Sequence, residues 1–119
     1  MDMGQRKPVR FSNGIPELLV LRLLADREMY GYELVGAIRE STADVLDFGE
    51  GVIYPLLHSL EAEGLLTTRR CQVNGRPRVY YRTTAAGRRR LKKTAGEWSR
   101  ITAAVGRVLG GTAGEPATD

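Results

Sequence analysis

The 119-residue chain has one cysteine, Cys71, and one histidine, His58. A single cysteine excludes an intrachain disulfide. A structural zinc site takes about four cysteine or histidine ligands, more than this chain can supply. Redox pairing and a Cys–His catalytic dyad lack partners for the same reason. Gly49 and Gly51 open a dinucleotide-binding pattern, but Tyr54 stands where its third glycine belongs. Long apolar runs are missing too. The stretch from Leu18 to Ala25 is interrupted by Arg22, and it falls far short of the roughly 20 residues of a membrane span. Arg6, Lys7 and Arg10 are not followed by the apolar segment of a signal peptide, which implies a cytoplasmic protein. No catalytic activity, cofactor, metal or membrane association is expected.

Arginine is what the chain has in quantity. Fifteen of its 18 basic residues are arginine, against 14 acidic ones, for a net charge of +4. The planar guanidinium holds phosphate through a two-pronged fork. A mildly basic small domain is compatible with a nucleic-acid partner without establishing one.

Hydrophobic residues make up 42% of the chain and fall in periodic blocks. Residues 1–13 read as a flexible basic arm. A first helix of about Ile15 to Ala25 has Pro16 early, where its missing N–H costs nothing. Its leucines, Leu18 among them, cover most of the circumference, so it belongs inside a fold or between subunits. Asp26 to Met29 read as a polar turn. A second helix starts near Gly31, with Leu34, Ala37 and Ile38 on one side. After a loop over Ser41 to Gly49, a third helix runs from about Glu50 to Glu63. Ile53, Leu56, Leu57 and Leu60 form its buried stripe, and Gly64 serves as a left-handed cap. Pro55 in its early turns suggests an irregular or slightly later start. Leu65 to Gln72 and Arg78 to Thr83 are strand-like, joined at the hairpin signal Asn74-Gly75. Thr84 is placed to cap a last helix, about Ala85 to Leu109, and residues 110–119 read as a disordered tail. The fold class expected is mainly α with a small β-hairpin (α+β): a winged helix-turn-helix over 14–84, then a dimerisation helix over 85–109.

An α-helix just fits the DNA major groove, so the third helix must expose one side while the other holds the first two helices. Val52, Tyr54, Pro55, His58 and Ser59 face away from its apolar stripe. Tyr54 is a candidate for phosphate contact, with plain packing as its alternative; His58 and Ser59 are suited to a phosphate or a base edge. The hairpin tip, Asn74-Gly75-Arg76-Pro77-Arg78, puts two guanidiniums on a tight turn, with Arg69, Arg70 and Arg82 alongside. Arg88, Arg89, Arg90, Lys92 and Lys93 wrap around the last helix and read as mainly solvated. On that helix Leu91, Ala95, Trp98, Thr102, Val105 and Leu109 form a seam at coiled-coil spacing, flanked by Thr94, Ile101 and Val108. A second copy of the chain is the simplest cover for it. Two recognition helices would then meet half-sites about 34 Å apart, on a pseudo-palindromic double-stranded operator. A winged-helix protein–protein adaptor and a DNA-architecture protein without an effector remain open as alternatives.

Five pieces in order carry a resemblance. They are Tyr30-Gly31-Tyr32-Glu33-Leu34, Val52-Ile53-Tyr54-Pro55-Leu56-Leu57, Leu60-Glu61-Ala62-Glu63-Gly64-Leu65, Gly75-Arg76-Pro77-Arg78-Val79-Tyr80-Tyr81 and Thr83-Thr84-Ala85-Ala86-Gly87. Over about residues 14 to 109 the chain resembles the PadR family of transcriptional regulators. The short C-terminus is similar to its compact branch, with a single dimerisation helix. That resemblance implies a homodimeric repressor, often of a neighbouring transporter or stress operon. Glu97-Trp98-Ser99-Arg100 resembles the multidrug-responsive members, which implies that Trp98 and its two-fold mate stack on a flat aromatic effector. The interface implied draws on Leu18, Leu91, Ala95, Ile101, Thr102 and Val105 as well. No acidic residue follows Trp98 by one turn, and Glu97 points about 100° away around the helix, which does not favour a cationic ligand.

Overall fold

A computed structural model describes residues 14–110. The expected basic arm, and the expected tail beyond Gly110, lie outside the described residues. Helix α1 (Gly14–Asp26) is followed by strand β1 (Met29–Tyr30), helices α2 (Gly31–Ser41) and α3 (Glu50–Ala62), strands β2 (Leu66–Val73) and β3 (Arg76–Thr83), and helix α4 (Ala85–Leu109). The sheet is antiparallel, in the order β1-β3-β2.

The core is the meeting place of three apolar stripes and one sheet face. Val20, Leu21 and Leu24 of α1, Leu34 and Ile38 of α2, and Ile53, Leu57 and Leu60 of α3 are all essentially inaccessible to water. Each stripe follows the i, i+3, i+4 spacing that places side chains on one helical face. Met29, Leu66 and Tyr81 close the core from the sheet.

Three expectations are corrected at element ends. The segment from Asp26 to Met29 is not simply a polar turn, because Met29 is buried and pairs with Tyr81 as part of β1. A two-residue strand carries no periodicity, so the sequence does not announce it. Strand β3 begins at Arg76, not Arg78, with Pro77 opposite Gln72. Next to a two-residue turn the closing pair is Val73–Arg76; the following pair exchanges no ladder bonds, and the missing proline N–H there is not needed. Pro55 lies inside α3 without delaying it: the helix begins at Glu50, and the Gly49 carbonyl accepts from Val52 and Ile53.

Other ends match. Gly64, at φ +79°, ends α3: its N–H donates to the Glu61 carbonyl and that of Leu65 to the Leu60 carbonyl, the double bond of a Schellman cap. Asn74 (φ +52°) and Gly75 (φ +76°) form the hairpin turn, both left-handed as a type I′ turn requires. The Thr84 hydroxyl accepts from the Gly87 N–H at 3.0 Å and donates to the Gly64 carbonyl at 2.8 Å. It ties the start of α4 to the end of α3. Gly110, placed by the sequence in the tail, is the left-handed cap of α4.

The main departure concerns charge. Glu17 of α1 is 3% exposed, and its carboxylate accepts two bonds from Nη1 of Arg90, at 3.1 and 3.2 Å. Nη2 of Arg90 donates to Glu63 at 2.8 Å. Arg88 donates to the Ala25 carbonyl at 2.8 Å. Arg90 and Arg88 are thus structural members of α4, which corrects their reading as solvated; Arg89, Lys92 and Lys93 are exposed. Removing one partner from a buried pair leaves an uncompensated charge. Arg90→Ala is expected to cost about 3 kcal/mol, the low end for a buried pair because a part of Arg90 meets water. The double substitution Glu17→Leu with Arg90→Met should recover most of that loss. Chemical denaturation measures both, and an Arg90→Ala midpoint equal to wild type would refute the clamp.

Candidate nucleic-acid interface

Helix α3 turns its two sides to different media. Val52, Pro55, His58 and Ser59 are exposed, as the sequence suggests, while Ile53, Leu57 and Leu60 are buried. Tyr54 is half-buried, and its ring lies on Gly31, the first residue of α2. A Cβ at Gly31 would fall 2.4 Å from the Tyr54 ring, so only glycine lets α2 begin this close to α3. Burial pushes the Tyr54 hydroxyl above its ordinary pKa, and the nearby Glu50 carboxylate adds to the effect. Helix α3 contains neither lysine nor arginine. Attraction to a polyanion must come from its neighbours.

The hairpin, by contrast, carries arginines. Asn74, Gly75, Arg76 and Pro77 are exposed at the tip, and Arg78 is half-buried one step further in. Arg70 and Arg76 make no ion pair among the described residues. Arg69 differs from them. Its Nε donates to Glu28 at 3.1 Å, its Nη2 meets the other carboxylate oxygen, and its guanidinium lies 4.9 Å from the Tyr80 ring centre. Bonding to Arg69 holds the Glu28 carboxyl below the usual carboxylate range. Glu28, Tyr30 and Tyr80 were not legible as parts of this surface. Glu28 is 41 residues from Arg69, and only strand pairing brings them together.

Helix α4 carries a different surface. Thr94 is buried on the body of the chain, and Ile101 is half-buried. Along the seam Leu91 is half-buried against the core and Thr102 is half-buried, while Ala95, Trp98, Val105 and Leu109 are exposed. Trp98 retains 37% of its surface and Leu109 79%. Leu18 of α1 is half-buried and outside the core cluster. A helix of 25 residues extending from a small body thus ends in apolar surface that the described residues do not cover.

Three helices, a short strand and a two-stranded hairpin, with one side of the third helix left free of the core, define a winged helix-turn-helix. The chain belongs to the transcriptional regulator PadR-like family, whose profile matches residues 20–93. It is 38% identical over 81 residues to a transcriptional regulator of Mycobacterium tuberculosis, covering 68% of this chain and 73% of that one. A PadR family transcriptional regulator from Eggerthella lenta is 33% identical with a TM-score of 0.71, over 79% of this chain and 80% of that one. PadR of Bacillus subtilis, solved in complex with operator DNA, is 27% identical with a TM-score of 0.59, over 65% of this chain and 43% of that one. These relatives are regulators, not enzymes, in accord with the shortage of catalytic groups in the sequence.

The contact between Gly31 and Tyr54 makes a direct prediction. Gly31→Ala must drive the Tyr54 ring outward, at a cost of about 1–3 kcal/mol for overpacking. Thermal unfolding should show that loss, and Tyr54→Ala in the same background should reduce it. A Gly31→Ala protein as stable as wild type would show that the ring has room to spare.

Proposed function

We propose that the chain is a homodimeric, sequence-specific double-stranded DNA-binding regulator. The observation that carries this is α3: its exposed side (Val52, Pro55, His58, Ser59) is free of the core, beside a hairpin whose exposed tip carries Arg76. In this reading α3 enters the major groove with the half-buried Tyr54 at its edge. The wing, through Asn74, Gly75, Arg76 and Arg78, braces on the flanking backbone. That a relative was solved in complex with operator DNA supports double-stranded DNA as the partner. Two chains pair through the α4 seam, with α1 and Leu18 adding to it, and present two α3 helices to successive turns of a pseudo-palindromic site. The regulator acts as a repressor. A small, flat, hydrophobic molecule entering the interface at Trp98 relieves it by changing the spacing of the two wings.

Because α3 carries no cation, the salt dependence of binding is set largely by the wing. Gel retardation on the DNA upstream of the protein's own gene, repeated across salt concentrations, should show a shift that weakens steeply as salt rises. Arg76→Ala should weaken binding to every sequence and lower the slope by about 1 per protomer. A wild-type protein that shifts no duplex would overturn the DNA reading, and an unchanged slope would remove Arg76 from the contact. Equal affinity for all duplexes would point to an architectural role.

Trp98 is the only tryptophan, so its emission reports on the seam alone. Planar aromatic dyes are expected to quench it and to lower the affinity for DNA over the same concentration range. Titration that leaves both unchanged would make Trp98 a plain interface residue.

A further inference from the structure

On the outer side of the sheet, two tyrosines hold two arginines in opposite ways. The register sets Tyr30 against Tyr80, Tyr80 against Arg69, and Arg78 two residues before Tyr80 on the same face. The Tyr30 and Tyr80 rings meet edge to face, 5.6 Å apart and 73° inclined. The Arg78 guanidinium carbon lies 4.0 Å from the Tyr30 ring centre. Arg69 lies against Tyr80, but its N–H edge is taken up by Glu28. No carboxylate pairs with Arg78 among the described residues.

The difference matters because a guanidinium has a face and an edge. Stacking on an aromatic ring uses the face, whereas phosphate is bound by the in-plane N–H donors of the edge. Arg78 therefore has its face held on Tyr30 and one donor turned to the Tyr80 hydroxyl, with no donor spent on a carboxylate. Arg69 has its donors spent. Tyr30 also stands at a joint: it is the N-cap of α2, next to the Gly31 on which Tyr54 of α3 rests. Through it the reading helix and the wing share one support.

We propose that Tyr30 is a positioning residue for DNA binding, holding the Arg78 guanidinium over its ring so that the N–H donors not turned to Tyr80 stay open to a backbone phosphate. Glu28 withdraws Arg69 from that task. The proposal rests on the DNA-binding reading given above and adds which arginine does the work and why.

The test uses the full chain and a short mixed-sequence duplex, with binding followed across salt. Tyr30→Phe keeps the ring face and should bind within about twofold of wild type with the same slope. Tyr30→Leu should weaken binding about tenfold and reduce the slope, as Arg78→Ala does, and the two together should be no worse than either alone. Arg69→Ala should leave the slope unchanged. Losses that multiply in the double variant, or a slope unmoved by Tyr30→Leu, would overturn the proposal. Should Tyr30→Leu fail to fold, Arg78→Lys decides: it keeps the charge and lacks the flat fork. Wild-type affinity for Arg78→Lys refutes positioning by stacking, and about a fivefold loss or more supports it. A wild-type protein that binds no duplex fails the DNA reading itself, an outcome distinct from additive losses in a protein that binds.

Discussion

The carboxylate of Glu17 lies inside the fold, and a buried carboxylate limits everything packed around it. Left alone there it would be prohibitively costly, so a cation must come to it. Arg90 does, from α4, and reaches on to Glu63 at the end of α3. One guanidinium thereby gathers α1, α3 and α4 at a single point. A pair of this kind is weak evidence for net stability, since apolar residues of the same volume often serve as well. What it supplies is direction. Apolar surfaces slide on one another at little cost, whereas a guanidinium that gives one nitrogen to Glu17 and the other to Glu63 narrows the geometries available. Together with the Thr84–Gly64 and Arg88–Ala25 bonds, it ties the start of α4 to the body of the chain.

From that fixed root the molecule divides its tasks. Helix α3 has the shape to enter a groove but no positive charge, and the wing has the charge but little core of its own. The wing keeps its form through backbone means: a left-handed pair at Asn74 and Gly75, and a ladder unbroken from Leu66 to Thr83. Its arginines are not equivalent. Arg76 stands in water at the tip, Arg78 lies on an aromatic ring, and Arg69 is neutralised in place. Counting positive residues along the hairpin would rate them alike.

Much of the architecture was legible from residue pattern. The three helical stripes, the hairpin at Asn74-Gly75, the caps at Gly64 and Thr84 and the long last helix are local properties, each written within a few residues of where it acts. What escaped was non-local. Strand β1 is two residues long and exists only because β3 offers it a partner. Glu17 sits in a run of leucines and reads as an incidental polar residue until Arg90, 73 positions later, is seen against it. The basic run from Arg88 to Lys93 looks uniform on a helical wheel, yet two of its members are committed to the body of the chain.

The amino-acid sequence by itself determined the four helices, the hairpin, their order and the family, because periodicity, turn chemistry and capping act over one or two helical turns. It also determined that α3 and the wing are the polar parts turned outward. Tertiary structure alone decided which charges remain available. A guanidinium is engaged or open according to the carboxylate or ring that the fold brings against it, and those partners are set by packing between segments distant in the chain.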